Sequence, residues 1–126
     1  MSRHVLVVEN ETAIQDVLCS ILELAECDVE RAADGAIALE KLATAAEAPD
    51  LIFLDLMMPN MNGTVFVEEM RRRHLCASTP IIVVSGDAHV REHVRKLGMD
   101  VFISKPFSIT EVLDVVSALI GEPSKA

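Results

Sequence analysis

The sequence contains no tryptophan or tyrosine, and only four of its 126 residues are phenylalanine. Because 51% of the residues are hydrophobic, the core must be built mainly from aliphatic side chains, which suits packed strands rich in Val, Ile and Leu. Basic residues are also scarce, with eleven Lys and Arg against twenty Asp and Glu and a formal net charge of −9. Electrostatic nucleic-acid binding needs a basic surface, so we expect no direct DNA binding.

Cysteine is scarce as well, and Cys19, Cys27 and Cys76 lack the paired spacing of metal or redox motifs. We place Cys19 and Cys76 in helices and Cys27 at a helix end, and we expect reduced, buried or half-buried thiols. No signal-peptide pattern precedes the first strand, and no apolar run approaches membrane-spanning length. We therefore expect a cytoplasmic protein without a membrane partner.

Short apolar runs alternate with longer segments of helical spacing. Five strands alternating with five helices predict an α/β fold with a parallel sheet covered on both faces. The second run is polar enough to be an edge strand. We predict one domain over residues 1–121 and a short tail over residues 122–126. The predicted strands are Val5–Val8, Asp28–Ala32, Leu51–Leu54, Ile81–Val84 and Val101–Ser104.

Several predicted helices carry start and stop signals. Two have capping-box spacing, two others follow a side chain suited to an N-cap, and two end at a glycine. In that order these residues are Thr12 with Gln15, Ser108 with Glu111, Asp34, Asn62, Gly98 and Gly121.

Polar side chains follow the predicted strands at their carboxyl ends, which share one edge of a parallel sheet. Glu9 and Asn10 follow the first strand, Asp55 the third, Ser85 the fourth and Lys105 the fifth. Carboxylate and amide oxygens are ligands for Mg²⁺, whereas a lysine and a hydroxyl suit a phosphoryl group. Neither a P-loop nor a dinucleotide-binding fingerprint is present.

Four motifs at these strand ends make the chain resemble the receiver domain of bacterial two-component response regulators, the CheY-like family. The resemblance covers essentially the whole chain. It implies a flavodoxin-like (βα)5 fold with strand order 2-1-3-4-5. The motifs are Val8-Glu9-Asn10-Glu11, Asp55-Leu56-Met57-Met58-Pro59-Asn60-Met61-Asn62-Gly63, Val84-Ser85-Gly86 and Lys105-Pro106-Phe107.

The resemblance also implies a role for individual residues. Asp55 is the expected phosphoacceptor, which attacks a phosphohistidine of a partner kinase. The expected Mg²⁺ donors are Glu9, Asn10, Asp55 and the backbone carbonyl of Met57. Ser85 and Lys105 are expected to bind the phosphoryl group, and Ser85 and Phe102 to act as switch residues. The resemblance also implies a cis peptide bond before Pro106 and an influence of Met57 and Asp87 on the lifetime of the acyl phosphate.

The function that this resemblance implies is a stand-alone phosphorylation switch, not an enzyme beyond self-catalysed phosphotransfer and autodephosphorylation. A sensor histidine kinase or a histidine phosphotransfer protein would donate the phosphoryl group. Phosphorylation would alter the face formed by the fourth helix, fifth strand and fifth helix (Asp87–Leu97, Val101–Ser104 and Ser108–Ile120). A separate effector protein would read that face, and we expect a monomer or a weak homodimer.

One departure from the family pattern affects the metal site. Family members usually carry an aspartate at the position of Asn10, and a neutral amide removes one negative charge beside the divalent ion. Our hypothesis is a weaker Mg²⁺ site. The alternative is a pseudo-receiver, an interaction module that signals without phosphorylation.

Two further function classes are disfavoured by the residues at these strand ends. An aspartyl phosphatase would need a second acid two residues after Asp55, where the chain has Met57. A flavin carrier would need a phosphate-binding loop after the first strand, where Glu9 and Glu11 would repel phosphate.

Two groups of basic side chains have simpler interpretations. His89 and His93 are four residues apart on a predicted helix, and we expect solvated histidines instead of a metal site. The run from Arg71 to His74 is typical of a helix end, where basic side chains oppose the negative end of the helix dipole.

Overall fold

Strands and helices alternate along the computed structural model, which describes residues 3–57, 63–87, 89–99 and 101–121. The five predicted strands are confirmed, with bounds that differ by at most one residue at either end. The elements are β1 (His4–Val8), α1 (Thr12–Leu24), β2 (Asp28–Ala32), α2 (Gly35–Thr44), β3 (Leu51–Asp55), α3 (Gly63–Arg72), β4 (Ile81–Ser85), α4 (Val90–Lys96), β5 (Val101–Ser104) and α5 (Ile109–Ile120).

The strands form one parallel sheet in the order β2-β1-β3-β4-β5, which confirms the predicted topology and the edge position of β2. Strands β3 and β4 are buried along their whole length, as continuous apolar runs predict. Asp55 pairs in register with Val84, and Ser85 with Ser104. This register aligns the carboxyl ends of β3, β4 and β5 at one edge.

Alternate side chains of each strand point to opposite faces of the sheet and fill two separate cores. On β1, Val5 and Val7 belong to the core beneath α1 and α5, whereas Leu6 and Val8 belong to the core beneath α2, α3 and α4. Phe53, a large fully buried side chain, lies in the first core. Most of the other buried side chains are aliphatic, as the composition predicts.

The helix-capping predictions have mixed outcomes. Ser108 and Glu111 form a complete capping box, and the Asp34 carboxylate accepts a hydrogen bond from the Ile37 backbone at 2.9 Å. The capping box at Thr12 is wrong, because Glu11 is the N-cap of α1 and makes no side-chain cap bond. The predicted cap Asn62 and the predicted tail, residues 122–126, lie outside the described residues.

The prediction that two helices end at a glycine is confirmed. Gly98, which follows α4, has φ +75°, and Gly121, the C-cap of α5, has φ +83°. Helix α4 is shorter than the predicted span, because it begins at Val90, after a turn in which the Asp87 carboxylate accepts from the His89 backbone at 2.9 Å.

The prediction that Cys76 lies in a helix is wrong. Helix α3 ends at Arg72, and both His74 and Cys76 adopt positive φ, 55° and 51°. This turn lets Leu75 and Cys76 pack against the core beneath α2 and α3. Cys19 and Cys27 are buried and Cys76 is half-buried, as predicted, and none of the three is in a disulfide with a described residue. Burial raises the pKa of each thiol, which favours the less reactive protonated form.

Within residues 3–57, 63–87, 89–99 and 101–121, no helix is long and apolar enough to cross a bilayer.

Candidate functional site

Two carboxylates and one ammonium group meet at the carboxyl edge of the sheet. Glu9 directly follows β1, Asp55 ends β3, and Lys105 directly follows β5. The Lys105 Nζ donates to Glu9 Oε1 at 3.0 Å and lies 3.5 Å from Asp55 Oδ2. Glu9 is only 1% exposed and Asp55 4% exposed, whereas the Lys105 side chain is 17% exposed. The three predicted residues therefore form one largely dehydrated cluster.

Backbone groups orient both carboxylates. Glu9 Oε2 accepts from the Glu11 backbone N–H at 3.1 Å, and Asp55 Oδ1 accepts from the Met57 backbone N–H at 2.9 Å. The Gln15 amide donates to the Glu9 carbonyl at 2.9 Å, so the side chain that we predicted as a cap component holds the end of β1 instead. The Lys105–Pro106 peptide bond is cis, as predicted.

Burial sets the electrostatics of this cluster. Burial raises the pKa of Glu9, and the hydrogen bonds from Glu11 and Lys105 oppose that effect only in part. For Lys105, burial lowers the pKa, but the hydrogen bond to Glu9 and the charge of Asp55 outweigh it and raise the pKa overall. The raised pKa favours the ammonium form of Lys105, which among the described residues is the one cation that lies between the two carboxylates.

Replacing Lys105 with methionine is expected to lower the free energy of unfolding by about 2 kcal/mol near neutral pH, because two buried carboxylates lose their shared cation. The loss should shrink as the pH falls. A carboxyl group with a raised folded-state pKa stabilises the fold at low pH and loses that contribution as the pH rises through the raised value. Without Lys105 the pKa of Glu9 is raised further, because the hydrogen bond that lowers it is lost. Urea unfolding followed by circular dichroism at several pH values measures both effects.

Lys41→Met is the matched control for this prediction. The Lys41 ammonium lies 3.5 Å from Glu30, and both side chains are well exposed. Because it is exposed, such a pair contributes only about 0 to 1 kcal/mol to the free energy of unfolding. Equal losses in the two variants would contradict a buried, electrostatically coupled cluster.

Ser85 and Asp87 extend the edge beyond this cluster. The Ser85 side chain is 1% exposed, and its hydroxyl oxygen accepts from the Asp87 backbone N–H at 3.2 Å. The hydroxyl proton is not used in that bond and remains available for donation. The Asp87 side chain is exposed.

Phe102 lies on β5, the strand that pairs with β4. Its side chain is half-buried against the core beneath α2, α3 and α4, and the Arg91 guanidinium carbon lies 4.9 Å from the ring centroid. This distance is typical of a cation–π contact. Sequence reasoning missed Arg91, since no pattern within α4 indicates that its side chain reaches an aromatic ring on β5.

The predicted metal donors are two carboxylates, an amide and a backbone carbonyl. Asn10 is exposed beside the buried Glu9, and Met57 follows Asp55 with its side chain 67% exposed. In the described part of the chain, no group of three or more His, Cys, Asp or Glu is placed to hold a metal. Mg²⁺ commonly binds through one or two carboxylates and keeps several waters, so this donor set suits Mg²⁺.

The two histidines of the fourth helix region belong to no such group. His89 and His93 are both exposed, and the His93 Nε2 lies 3.1 Å from the Thr64 hydroxyl on α3.

Comparison with known proteins agrees with this geometry. The chain matches the family model of the response regulator receiver domain over residues 5–117. It is 33% identical over 119 residues to the DNA-binding dual master transcriptional regulator RpaA of Synechocystis, which covers 93% of this chain and 48% of that protein. The chain thus spans about half the length of the curated relatives it matches.

Two solved structures share the same fold over their whole length. The chemotaxis response regulator CheY4 of Vibrio cholerae has a TM-score of 0.86 and 28% identity, covering 95% of this chain and 100% of CheY4. The receiver domain of the sensor histidine kinase PA1611 from Pseudomonas aeruginosa has a TM-score of 0.85 and 25% identity, covering 97% of this chain and 100% of that chain. The latter structure carries a magnesium ion coordinated in its active-site cleft. The present chain therefore belongs to the response regulator receiver domain family of two-component systems and is a CheY-like receiver domain.

Proposed function

We propose that Asp55 accepts a phosphoryl group from a phosphohistidine of a sensor histidine kinase or a histidine phosphotransfer protein. The observation that carries this proposal is the Asp55 carboxylate at the sheet edge, 3.5 Å from the Lys105 ammonium and next to the buried Glu9. The Lys105 ammonium is close enough to Asp55 to contact the oxygens of a phosphoryl group bound there.

The transfer is a displacement at phosphorus. An oxygen of the Asp55 carboxylate attacks the phosphorus, an O–P bond forms, and the P–N bond breaks with its electron pair passing to the histidine nitrogen. The product is an acyl phosphate on Asp55 and a neutral histidine once that nitrogen holds a proton. Reactions of this type depend mainly on positioning and charge neutralisation. The Met57 N–H supports positioning by holding Asp55 Oδ1.

The donors proposed for Mg²⁺ are Glu9, Asn10, Asp55 and the backbone carbonyl of Met57. When bound, Mg²⁺ would offset negative charge shared by the phosphoryl oxygens and the carboxylates. Lys105 has to exchange part of its contact with Glu9 for the phosphoryl group, and its raised pKa favours the ammonium form that this exchange needs.

Ser85 and Phe102 are the proposed switch residues. The Ser85 hydroxyl accepts from Asp87 and can donate its free proton to a phosphoryl oxygen at the same time. Movement of Ser85 toward Asp55 would open space behind it for the Phe102 ring. The phosphoryl group then shifts the population between two arrangements of α4, β5 and α5, which a separate effector would read. Met57 and Asp87 are proposed to tune the lifetime of the acyl phosphate.

The test is direct phosphorylation by a small donor. The protein is incubated with Mg²⁺ and acetyl phosphate and analysed by intact mass spectrometry, with an EDTA-treated sample as control. We expect an added phosphoryl group only with Mg²⁺, located on the peptide that contains Asp55. If millimolar Mg²⁺ and acetyl phosphate produce no adduct, and beryllofluoride produces no NMR shift near Asp55, the pseudo-receiver replaces this proposal.

Asn10→Asp is expected to tighten Mg²⁺ binding about tenfold, or about 1.4 kcal/mol, because a third carboxylate joins Glu9 and Asp55 beside the divalent ion. Isothermal titration calorimetry measures the affinity. Ser78→Asp is the matched control, since it adds the same charge to an exposed loop between α3 and β4, at the opposite edge of the sheet. Equal tightening in both variants, or none in Asn10→Asp, would contradict a direct metal contact at position 10.

A further inference from the structure

The positive charge of this acidic chain is concentrated in two short segments. Six of the eleven Lys and Arg residues occur at Arg71, Arg72, Arg73, Arg91, Arg95 and Lys96. Residues 63–99 carry these six and four Asp or Glu, a net charge of +2, whereas the other five and sixteen give the rest of the chain −11. The described fold therefore has one cationic region in an otherwise anionic protein.

The fold joins the two segments into one surface. A Cβ atom built on Gly98, just after α4, would lie 3.6 Å from a guanidinium nitrogen of Arg71, at the end of α3. Helix α4 buries Val94 against the core, whereas the basic side chains of α4 are exposed. Arg71 therefore lies beside the end of α4, close to Lys96, and Arg95 and Arg91 continue the positive charge back along α4, since they are four residues apart on one side of the helix. We call the surface formed by Arg71, Arg91, Arg95 and Lys96 the α3–α4 cationic surface.

Among the described residues, most of this charge is not neutralised by an ion pair. Arg72 and Arg73 both pair with Glu69, so the α3–α4 cationic surface does not include them. Arg95 has only a long contact of 3.7 Å with Glu92, and both side chains are mostly exposed. Arg71, Arg91 and Lys96 form no ion pair with any residue that the structure describes.

We propose that the α3–α4 cationic surface binds an acidic segment of a partner protein. The positive charge of the surface requires an anionic partner, and its small size favours a protein segment over a nucleic acid. A DNA duplex carries one negative charge per about 1.7 Å of its axis and would extend beyond four cations onto the anionic remainder of the domain. A short acidic protein segment can bind the surface alone and avoid that repulsion.

Arg91 connects this surface to the proposed switch, and this step rests on the proposed function. Its guanidinium covers the Phe102 ring. Inward movement of Phe102 would remove that contact and release Arg91 to pair with a carboxylate of the partner. Phosphorylation and partner binding then favour each other, because coupling between two sites is reciprocal.

The experiment titrates ¹⁵N-labelled protein with an oligoglutamate peptide at low salt and maps the NMR shifts. We expect shifts confined to the end of α3 and to α4, and affinity about tenfold weaker in Arg71→Gln/Lys96→Gln. The control Arg31→Gln/Lys41→Gln removes the same charge from two cations that pair with Asp16 and Glu30, and little change is expected. Equal weakening in both variants, shifts elsewhere, or tighter binding of a DNA duplex of equal charge overturns the proposal.

Two further measurements separate this inference from the proposed function. Labelling of Asp55 by acetyl phosphate should be unchanged in Arg71→Gln/Lys96→Gln, because neither side chain touches the cluster at the sheet edge. Beryllofluoride should tighten peptide binding about threefold in the wild type and have no effect in Phe102→Leu, which lacks the ring. Peptide binding without Asp55 labelling would overturn the proposed function alone, and labelling without peptide binding would overturn this inference alone.

Discussion

Replacing Asp55 with asparagine is expected to abolish acyl-phosphate formation while the fold remains intact. The amide is a poor nucleophile, and the site loses the charged oxygen that attacks phosphorus. The fold should survive because Lys105 still pairs with Glu9 at 3.0 Å, which leaves one buried anion with one cation. Intact mass after incubation with Mg²⁺ and acetyl phosphate measures the adduct, and circular dichroism measures thermal stability.

Asp16→Asn is the control for this loss. Asp16 lies on α1, near the same edge of the sheet, and pairs with Arg31, with 57% of its side chain exposed. Removing its carboxylate should leave labelling unchanged. An adduct that persists in Asp55→Asn would mean that another group accepts the phosphoryl, and the assignment of Asp55 would then be wrong.

The second large effect is expected at Gly63, the first residue of α3. A Cβ atom there would lie 2.7 Å from the Leu56 Cα and 2.9 Å from the Asp55 carbonyl oxygen. Both are backbone atoms, and a rotamer change cannot relieve these contacts. Gly63→Ala should therefore lower the free energy of unfolding by about 3 kcal/mol, the cost of a severe overpacking contact. Urea unfolding measures the change.

The substitution should also impair phosphorylation, because the backbone that must move carries Asp55. The Gly63 N–H donates to the Leu56 carbonyl at 3.0 Å, so this helix start and the end of β3 are held together. We expect slower labelling by acetyl phosphate even at temperatures where the variant is folded. Unchanged stability and labelling would show that α3 can shift without cost.

Gly86→Ala is the matched control. A Cβ atom on Gly86 meets only the Lys105 Cβ at 3.9 Å, an ordinary van der Waals distance. This glycine follows Ser85 at the same edge of the sheet, yet its substitution should change stability by less than about 1 kcal/mol. The contrast between the two glycines separates backbone crowding from a general loss of glycine flexibility.

Much of the fold could be predicted from local patterns in the chain. Continuous apolar runs such as Leu51–Leu54 indicate buried strands, and capping-box spacing located the start of α5 at Ser108. The errors arose where tertiary contacts compete with local signals. Gln15 has the spacing of a cap component, but its amide is used to hold the carbonyl of Glu9. Cys76 follows a helical pattern, but the chain turns at His74 so that Leu75 can pack against the core.

The sequence by itself determined which residues meet at the carboxyl edge, because parallel strands bring the residues after them to one side of the sheet. Only the tertiary structure decided how they interact. Lys105 contacts Glu9 and Asp55 across 96 and 50 residues of chain, and Arg91 covers a ring on a different element. Such distances depend on how the elements pack, and burial then raises the pKa of Glu9 and leaves Lys105 as the cation between two carboxylates.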